Sequence, residues 1–459
     1  MKLKSKRPPE SERLFRNAAV DALIETINDA IRDPDIRLMF DQCFPYSLDR
    51  ATDFRRDKAG NPDTTVITGD IPALWLRDSA NQVLPYLPVA LRDVQMHEMI
   101  RGLIRRQVDC ILLDPYANAF KSGDQEKSAK KSDQARGRFW KSGIWERKYE
   151  LDSLAAFLRL SAAYPHCNPD QTPFDGRWIQ AVEKVLKVLQ NEQSQISRKT
   201  VKKHFRAVGR DGWPSPTVRM CGFGSPNKHT GLVRTVFRPS DDEAVFPYSI
   251  PANAMICTAL SALIARLHEI DQKGMANLCR SCIRIRSEIA SGIESYGIVH
   301  HPEFGDILAY EIDGFGSSCL MDDPNVPSLL SLPYLGYGYI LDSVYAATRK
   351  FILSEWNPYY IRGKIASGLS SPHTGVLSHF WPMGTIMQAM TAKDEEEILK
   401  CLGVLKRTHA GTHLIHESVH VDNPRNYTRP GFGWANSLFG ELIVQLYVTR
   451  RNILAEKIR

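Results

Sequence analysis

MHEMIRGLIRRQVDCIL, residues 96–112, decides the fold class. Its apolar positions Met96, Met99, Ile100, Leu103, Ile104, Val108, Ile111 and Leu112 recur at spacings of three and four, which places them on one face of a single helix. Outward from this stretch the same period returns at 15–31, 178–189, 252–270, 337–351, 398–405 and 434–447. The intervening segments, such as DPNVPSLLSLPYLGYG (323–338) and NPRNYTRPGFG (423–433), are rich in turn residues. Strand alternation is scarce, so the pattern predicts an all-α chain of roughly ten to twelve helices. Periodicity leaves a solenoid, a bundle and a double ring of helices open. Polar and aromatic residues at helix ends over most of the chain suit a helical toroid, whose loops converge on one pocket.

A length of 459 residues fits one large domain as well as two or three. We expect a single domain over 1–459, with 1–14 a flexible tail. The net charge of +7 is modest, and its basic stretches at 121–148 and 198–210 lack a nucleic-acid signature. No run approaches the ~20 apolar residues of a membrane-spanning helix. The opening MKLKSKRPPESERLF has no apolar core behind its basic residues, which favours a cytoplasmic location for the chain as it stands. A secretory-pathway location stays open if a leader precedes it. The nine scattered cysteines do not form a disulfide framework. Cys279 and Cys282 form a CxxC within a helical pattern, which reads as packed thiols. The sequence carries no signal for oligomeric state.

Four segments could carry chemistry. TGDIPALWLRDSANQV (68–83) brings Asp70, Trp75, Arg77 and Asp78 together; Trp offers a face to a sugar ring, and Arg with Asp can hold vicinal hydroxyls. The bland reading is a helix start with a structural ion pair. FRPSDDEAVFPYSIPAN (237–253) holds Ser240, Asp241 and Asp242, which locally read as a helix N-cap with acids in its first turn. Adjacent carboxylates also raise one another's pKa, as a general acid requires. GTHLIHESVHVDNPRNYTRPGFGWAN (411–436) contains His416, Glu417 and His420. HESVH matches a zinc-peptidase motif, with Glu441 as a third ligand, but Pro424 disfavours the continuous helix that motif needs. YANAF (116–120) with IWERKYELDSL (144–154) supplies Asn118, Trp145, Glu146 and Asp152, each readable as an ordinary helix-end residue.

Taken in order, TGDIPALWLRDSANQVLPYL, YANAF, WERKYELDSL, FRPSDDEAVFPYSIPAN, HESVHVDNP and YTRPGFGWANSLFGEL resemble glycoside hydrolase family 125 over positions 68–442. The resemblance implies an (α/α)6 barrel that removes terminal α-1,6-linked mannose from an oligosaccharide or glycan with inversion. It implies no metal and no cofactor. The general base would be Glu417 and the general acid Asp241 or Asp242, a choice the motif leaves open. Arg77 and Asp78 would hold the terminal mannose, with Trp75, Asp70, Asn118, Trp145, Arg238 and His416 lining or supporting its subsite. The polar insert at 121–138 is similar to that of the family's fungal members. Gly431 stands where the family pattern has a bulky aromatic, which predicts a looser leaving-group side.

In an inverting hydrolase two carboxyls sit roughly 6.5–9.5 Å apart, one protonating the leaving oxygen and one activating water. The acid should titrate high and the base should stay ionised. Rival readings are another inverting glycosidase on the same barrel, a mannoside-binding protein without catalysis, and a zinc peptidase built on HESVH.

Overall fold

Val94–Leu113 is the helix that the 96–112 period predicts, and Asp93 starts it by accepting the Met96 N–H at 2.7 Å. The computed structural model describes residues 6–123, 141–164, 173–194, 218, 224–270, 275–374 and 378–458. Asp33, Asp175, Ser249 and Asp394 cap other helices in the same way, each cap satisfying backbone donors at about 1 kcal/mol.

Two kinds of helix follow from the residue patterns. Leu76–Val83 is buried at every position, and Leu151–Ala163, Pro382–Met390 and Gly433–Thr449 nearly so along their N-terminal halves. A helix apolar or sealed all round belongs to the interior. Leu76–Val83 packs against both Leu151–Ala163 and Gly433–Thr449; the first continues to Ile250–Glu269 and the second to Pro382–Met390. One-sided amphipathic helices cover this inner run: Val94–Leu113, Gly176–Glu192, Met275–Tyr296 and Glu395–Thr408. Ile250–Glu269 has the length and mean hydropathy (1.5) of a membrane span, but it packs between Leu151–Ala163 and Met275–Tyr296 as a core helix. One apolar core runs from Phe15 to Ile458.

Strands are present that the alternation test missed. Six small sheets, with strands of two to six residues, lie among the described residues. Strands this short cannot show a period of two convincingly. Their placement matters: Ala73–Trp75 runs straight into Leu76–Val83, and Tyr248–Ser249 into Ile250–Glu269. His379–Phe380 likewise precedes Pro382–Met390. The sheets therefore gather side chains at the N-terminal ends of inner helices.

Two local expectations need correction. Ser240, Asp241 and Asp242 begin no helix; Asp241 takes a left-handed φ of 66° in a turn, and the next helix starts at Ile250 behind the Ser249 cap. Isolated bridges from Phe237 to Glu150 and Glu243 hold that turn instead. The segment expected as a loose tail is anchored from residue 6: Arg7 reaches Asp49 at 2.6 Å and Asp21 at 2.7 Å. The 198–210 basic stretch and most of the 121–138 insert lie outside the described residues. Cys279 and Cys282 are free, buried thiols on Met275–Tyr296.

Candidate active site

A cavity of about 170 Å³ opens where these strand tips meet, and Trp75, Arg77, Asp78, Asp241 and Glu417 all line it. Five of the residues singled out from sequence thus converge from three distant segments. Trp75 closes one side from the strand Ala73–Trp75, backed by Ala119 and Trp145.

Glu417 enters just ahead of the strand Ser418–His420, which pairs with Asn423–Thr428 in a hairpin. That pairing sets Ser418 opposite Thr428, and the Thr428 hydroxyl donates to Glu417 Oε2 at 2.9 Å. Arg429, at a left-handed φ of 48°, brings its Nη1 to 3.6 Å from Glu417 Oε1. Asp70 accepts Arg429 Nε at 2.9 and 3.2 Å, and Phe432 lies under the guanidinium at 4.4 Å. Asp70 therefore acts on the cavity through Arg429, not as part of its wall.

The opposite side is built around Arg77. Its guanidinium is buried and contacts Glu150 at 2.7 Å, Asp152 at 3.1 Å and Asp78 at 3.2 Å, with Trp434 across it at 5.3 Å. Lys148 stands 3.3 Å from Glu146 and 4.0 Å from Asp241. Burial pushes Asp78 and Asp152 upward against the pull of Arg77, and holds Glu150 well above the usual carboxylate range. Asp152 Oδ1 and Asp241 Oδ1 are buried without a hydrogen-bond donor. Unsatisfied buried acceptors around a cavity are what sugar hydroxyls can pair with.

The two adjacent aspartates differ. Asp241 faces the cavity, whereas Asp242 lies off its wall and accepts the hydroxyls of Ser240 at 3.0 Å and Ser371 at 3.2 Å. Burial raises Asp242, with His373 opposing. Burial also works to raise Asp241, but Lys148, a hydrogen bond from Glu150, His373 and Arg77 together hold it low.

Four other candidates lie behind the wall. Asn118 is fully buried and donates to Glu146 at 2.7 Å and Glu150 at 3.2 Å, tying those carboxylates down. Trp145 packs behind Trp75. Arg238 is buried in an ion pair with Glu311 at 2.5 Å. His416 stacks on Tyr427 at 3.7 Å and accepts or donates to Thr412 Oγ1 at 3.0 Å, bracing the hairpin. Sequence reasoning passed over His373, Trp381, Arg429 and Trp434 on the wall and Lys148 and Glu150 beneath it. Glu150, Arg429 and Trp434 stand inside the quoted blocks, but nothing in their local spacing marks them.

HESVH is not a zinc motif here. Ser418–His420 is a strand, so HESVH forms no helical turn; His416 stacks on Tyr427 and His420 packs on His379 instead. Among the described residues, Asp35, His409 and His413 bring ligand-type atoms within 4.8 Å of one another. His409 Nδ1 accepts the N–H groups of Gly411 and His413 at 3.0 and 3.3 Å, which places its proton on Nε2. The Lys406 ammonium stands 3.7 Å from Asp35. That chemistry fits a braced turn and not a ligand set.

Gly431 does not widen the cavity as expected. A Cβ there would collide with the Tyr46 hydroxyl, and the Gly431 carbonyl would lie 2.7 Å from a Cβ on Gly69, whose φ is 117°. Tyr46 and the glycine pair fill the space.

Residues 33–444 match the family of metal-independent α-mannosidases, glycoside hydrolase family 125. The meiotically up-regulated gene 157 protein of Schizosaccharomyces pombe is 42% identical over 99% of this chain and 90% of its own length. A structure from Streptococcus pneumoniae, of a metal-independent α-mannosidase in a non-productive complex with α-1,6-mannobiose, aligns with a TM-score of 0.87 at 36% identity. That alignment covers 95% of this chain and all of the other. A bacterial glucoamylase bound to acarbose aligns at 12% identity with a TM-score of 0.51, over 94% of this chain and 59% of its own, a likeness of fold alone. With its family model spanning most of the chain and a relative at 42% identity, this protein belongs to glycoside hydrolase family 125 and is a metal-independent α-mannosidase.

Proposed function

We propose that the enzyme is exo-acting, removes terminal α-1,6-linked mannose and inverts the anomeric centre, on a single-domain (α/α)6 barrel. The observation that carries this reading is the convergence of Glu417 and Asp241 on one small cavity. At about 170 Å³ it is well below the ~300 Å³ at which pockets for drug-sized ligands begin. One terminal ring suits it better than a chain threading through. The run of inner helices, each covered by an outer one, supports the barrel. The linkage is supported by the α-1,6-mannobiose bound to the Streptococcus pneumoniae relative.

In this mechanism Arg77 and Asp78 grip the terminal ring and Trp75 closes over it. Glu417, held by Thr428 and Arg429, takes a proton from the water that attacks the anomeric carbon. Of the two adjacent aspartates, the one that carries the proton gives it to the departing oxygen as the glycosidic bond breaks; Asp241 faces the cavity, and Asp242, pushed up by burial, lies directly beside it. Asp242 shapes the turn through Ser240 and Ser371. Proton NMR of α-1,6-mannobiose with the purified enzyme tests this: β-mannose should appear first. Initial α-mannose would sink inversion, and cleavage of α-1,2- or α-1,3-linked controls alone would sink the linkage.

A further inference from the structure

We propose that Phe315 is a stacking platform for the leaving-group chain, beyond the sugar joined to the scissile bond, so that the enzyme prefers α-mannosyl chains longer than a disaccharide. This rests on the aspartate pair at 241–242 supplying the general acid.

On that reading the cavity of about 170 Å³ takes the terminal ring, and every other sugar of the substrate lies outside it. The general acid must stand beside the departing oxygen, with the base across the ring. The released chain therefore runs out over the aspartate turn, away from Glu417. Glu311 ties that turn to a neighbouring strand. One of its oxygens meets Arg238 Nε at 2.5 Å, and the other accepts the N–H groups of Val245 and Phe246 at 2.9 and 3.1 Å.

The strand Glu311–Ile312 pairs antiparallel with Tyr248–Ser249, Ser249 opposite Glu311. Tyr248–Ser249 runs into the start of the inner helix Ile250–Glu269, so its antiparallel partner carries the chain back outward from that helix end. The chain then turns at 313–317 and returns as Ser318–Cys319. Phe315, at the tip, stands on the rim of the face that holds the cavity, on the side of the aspartate turn.

The turn is pinned beneath it. Asp313 Oδ1 accepts the N–H groups of Phe315 and Ser317 at 2.7 and 3.0 Å, and the Asp313 carbonyl accepts the Lys228 N–H at 3.0 Å. Gly314 and Gly316 flank Phe315 at left-handed φ values of 80° and 112°, and a Cβ on Gly314 would come within 2.6 Å of Thr230 Cγ2. On this fixed base Phe315 is 61% exposed. Trp356 and Tyr339 are exposed as well, but Trp356 packs on His301 and Tyr339 on Tyr337. Phe315 packs on no ring among the described residues. An apolar ring left in water at a turn tip, where polar residues are usual, costs stability, and loops on a rigid scaffold are where binding residues concentrate. Phenylalanine has no side-chain hydrogen-bonding group, so it offers a flat apolar face. The C–H groups on one face of a pyranose match that face, and stacking removes both from water.

The test is kcat/KM on α-1,6-linked mannobiose, mannotriose and mannotetraose for the wild type, Phe315→Ala and Phe315→Trp. The wild type should gain about tenfold from the disaccharide to the longer chains, the effect of burying part of one aromatic ring. Phe315→Ala should lose that gain, chiefly in KM, while cleaving mannobiose as the wild type does. Phe315→Trp should keep it. A flat length dependence in the wild type, a gain that survives in Phe315→Ala, or an equal loss on all three substrates would overturn the inference. Asp241→Asn and Asp242→Asn separate the two levels. If both keep wild-type turnover of mannobiose, the general-acid reading itself fails; if either is inactive while Phe315→Ala leaves the length dependence unchanged, only the Phe315 inference falls.

Discussion

Thr428 donates its hydroxyl to Glu417 at 2.9 Å, and the same hydroxyl lies 2.8 Å from Ser418 Oγ and accepts the Ser418 N–H at 3.1 Å. One side chain therefore locks the carboxylate to the strand that presents it. Thr428→Val should lower kcat by about tenfold, the cost of one charge-assisted hydrogen bond, with KM little changed. Thr428→Ser should restore the rate, because it keeps the hydroxyl. Glu417→Ala should abolish turnover while circular dichroism and melting stay those of a folded protein. Retained mannosidase activity in that variant would remove Glu417 from the mechanism.

Arg429 is the cation beside Glu417, and its other contacts are to Asp70, Thr68 and Phe432. Arg429→Gln takes away a charge that favours the ionised base. The kcat should fall by about tenfold while KM changes little, as for one lost charge-assisted contact to the base. A loss carried by KM alone would make Arg429 a binding contact only.

Gly431 meets Tyr46 so closely that any side chain must displace the phenol hydroxyl. Gly431→Ala should cost about 1–3 kcal/mol in denaturant unfolding. Tyr46→Phe removes the colliding oxygen, so the double variant should recover much of that loss. Strict additivity in the double-mutant cycle would show that the two residues do not press on each other.

The carboxylates around Arg77 give the fold a pH signature. Asp78, Glu150 and Asp152 titrate above their ordinary range in the folded chain, so the native state keeps protons that the unfolded chain has shed. Their contribution to stability is complete below the ordinary carboxylate value and is lost as pH rises through the raised ones. Melting temperature should fall as pH rises above the ordinary carboxylate range, and Glu150→Gln should flatten the slope. A slope unchanged in that variant would place the dependence elsewhere in the molecule.

The helical frame was legible because burial of one face imposes a period, and 96–112 carries it without interruption into Val94–Leu113. Pro424 was an accurate sign against a helical HESVH, since His420 ends one strand and Asn423 begins the next. The turn at 240–242 misled because Ser-Asp-Asp has the local chemistry of a helix cap, while contacts from Glu150 and Glu243 to Phe237 hold the chain otherwise. Arg238 and Asn118 looked like substrate ligands for a similar reason. Their partners, Glu311 and Glu146, are distant or unremarkable in sequence, and only folding brings them together. Glu150 was hidden most completely, since an acid between a tyrosine and a leucine at a helix start has no distinguishing pattern.

The hairpin from Ser418 to Thr428 has an evolutionary corollary. Side chains alternate along a strand, so deleting one residue at its turn, Val421 or Asp422, would carry Thr428 to the opposite face. Glu417 would lose its clamp, while Trp75, Arg77 and Asp78 sit on a separate stretch of chain and would still line the cavity. On the proposed mechanism, recognition and bond cleavage are thus written in different places, and a single-codon deletion would separate sugar binding from hydrolysis.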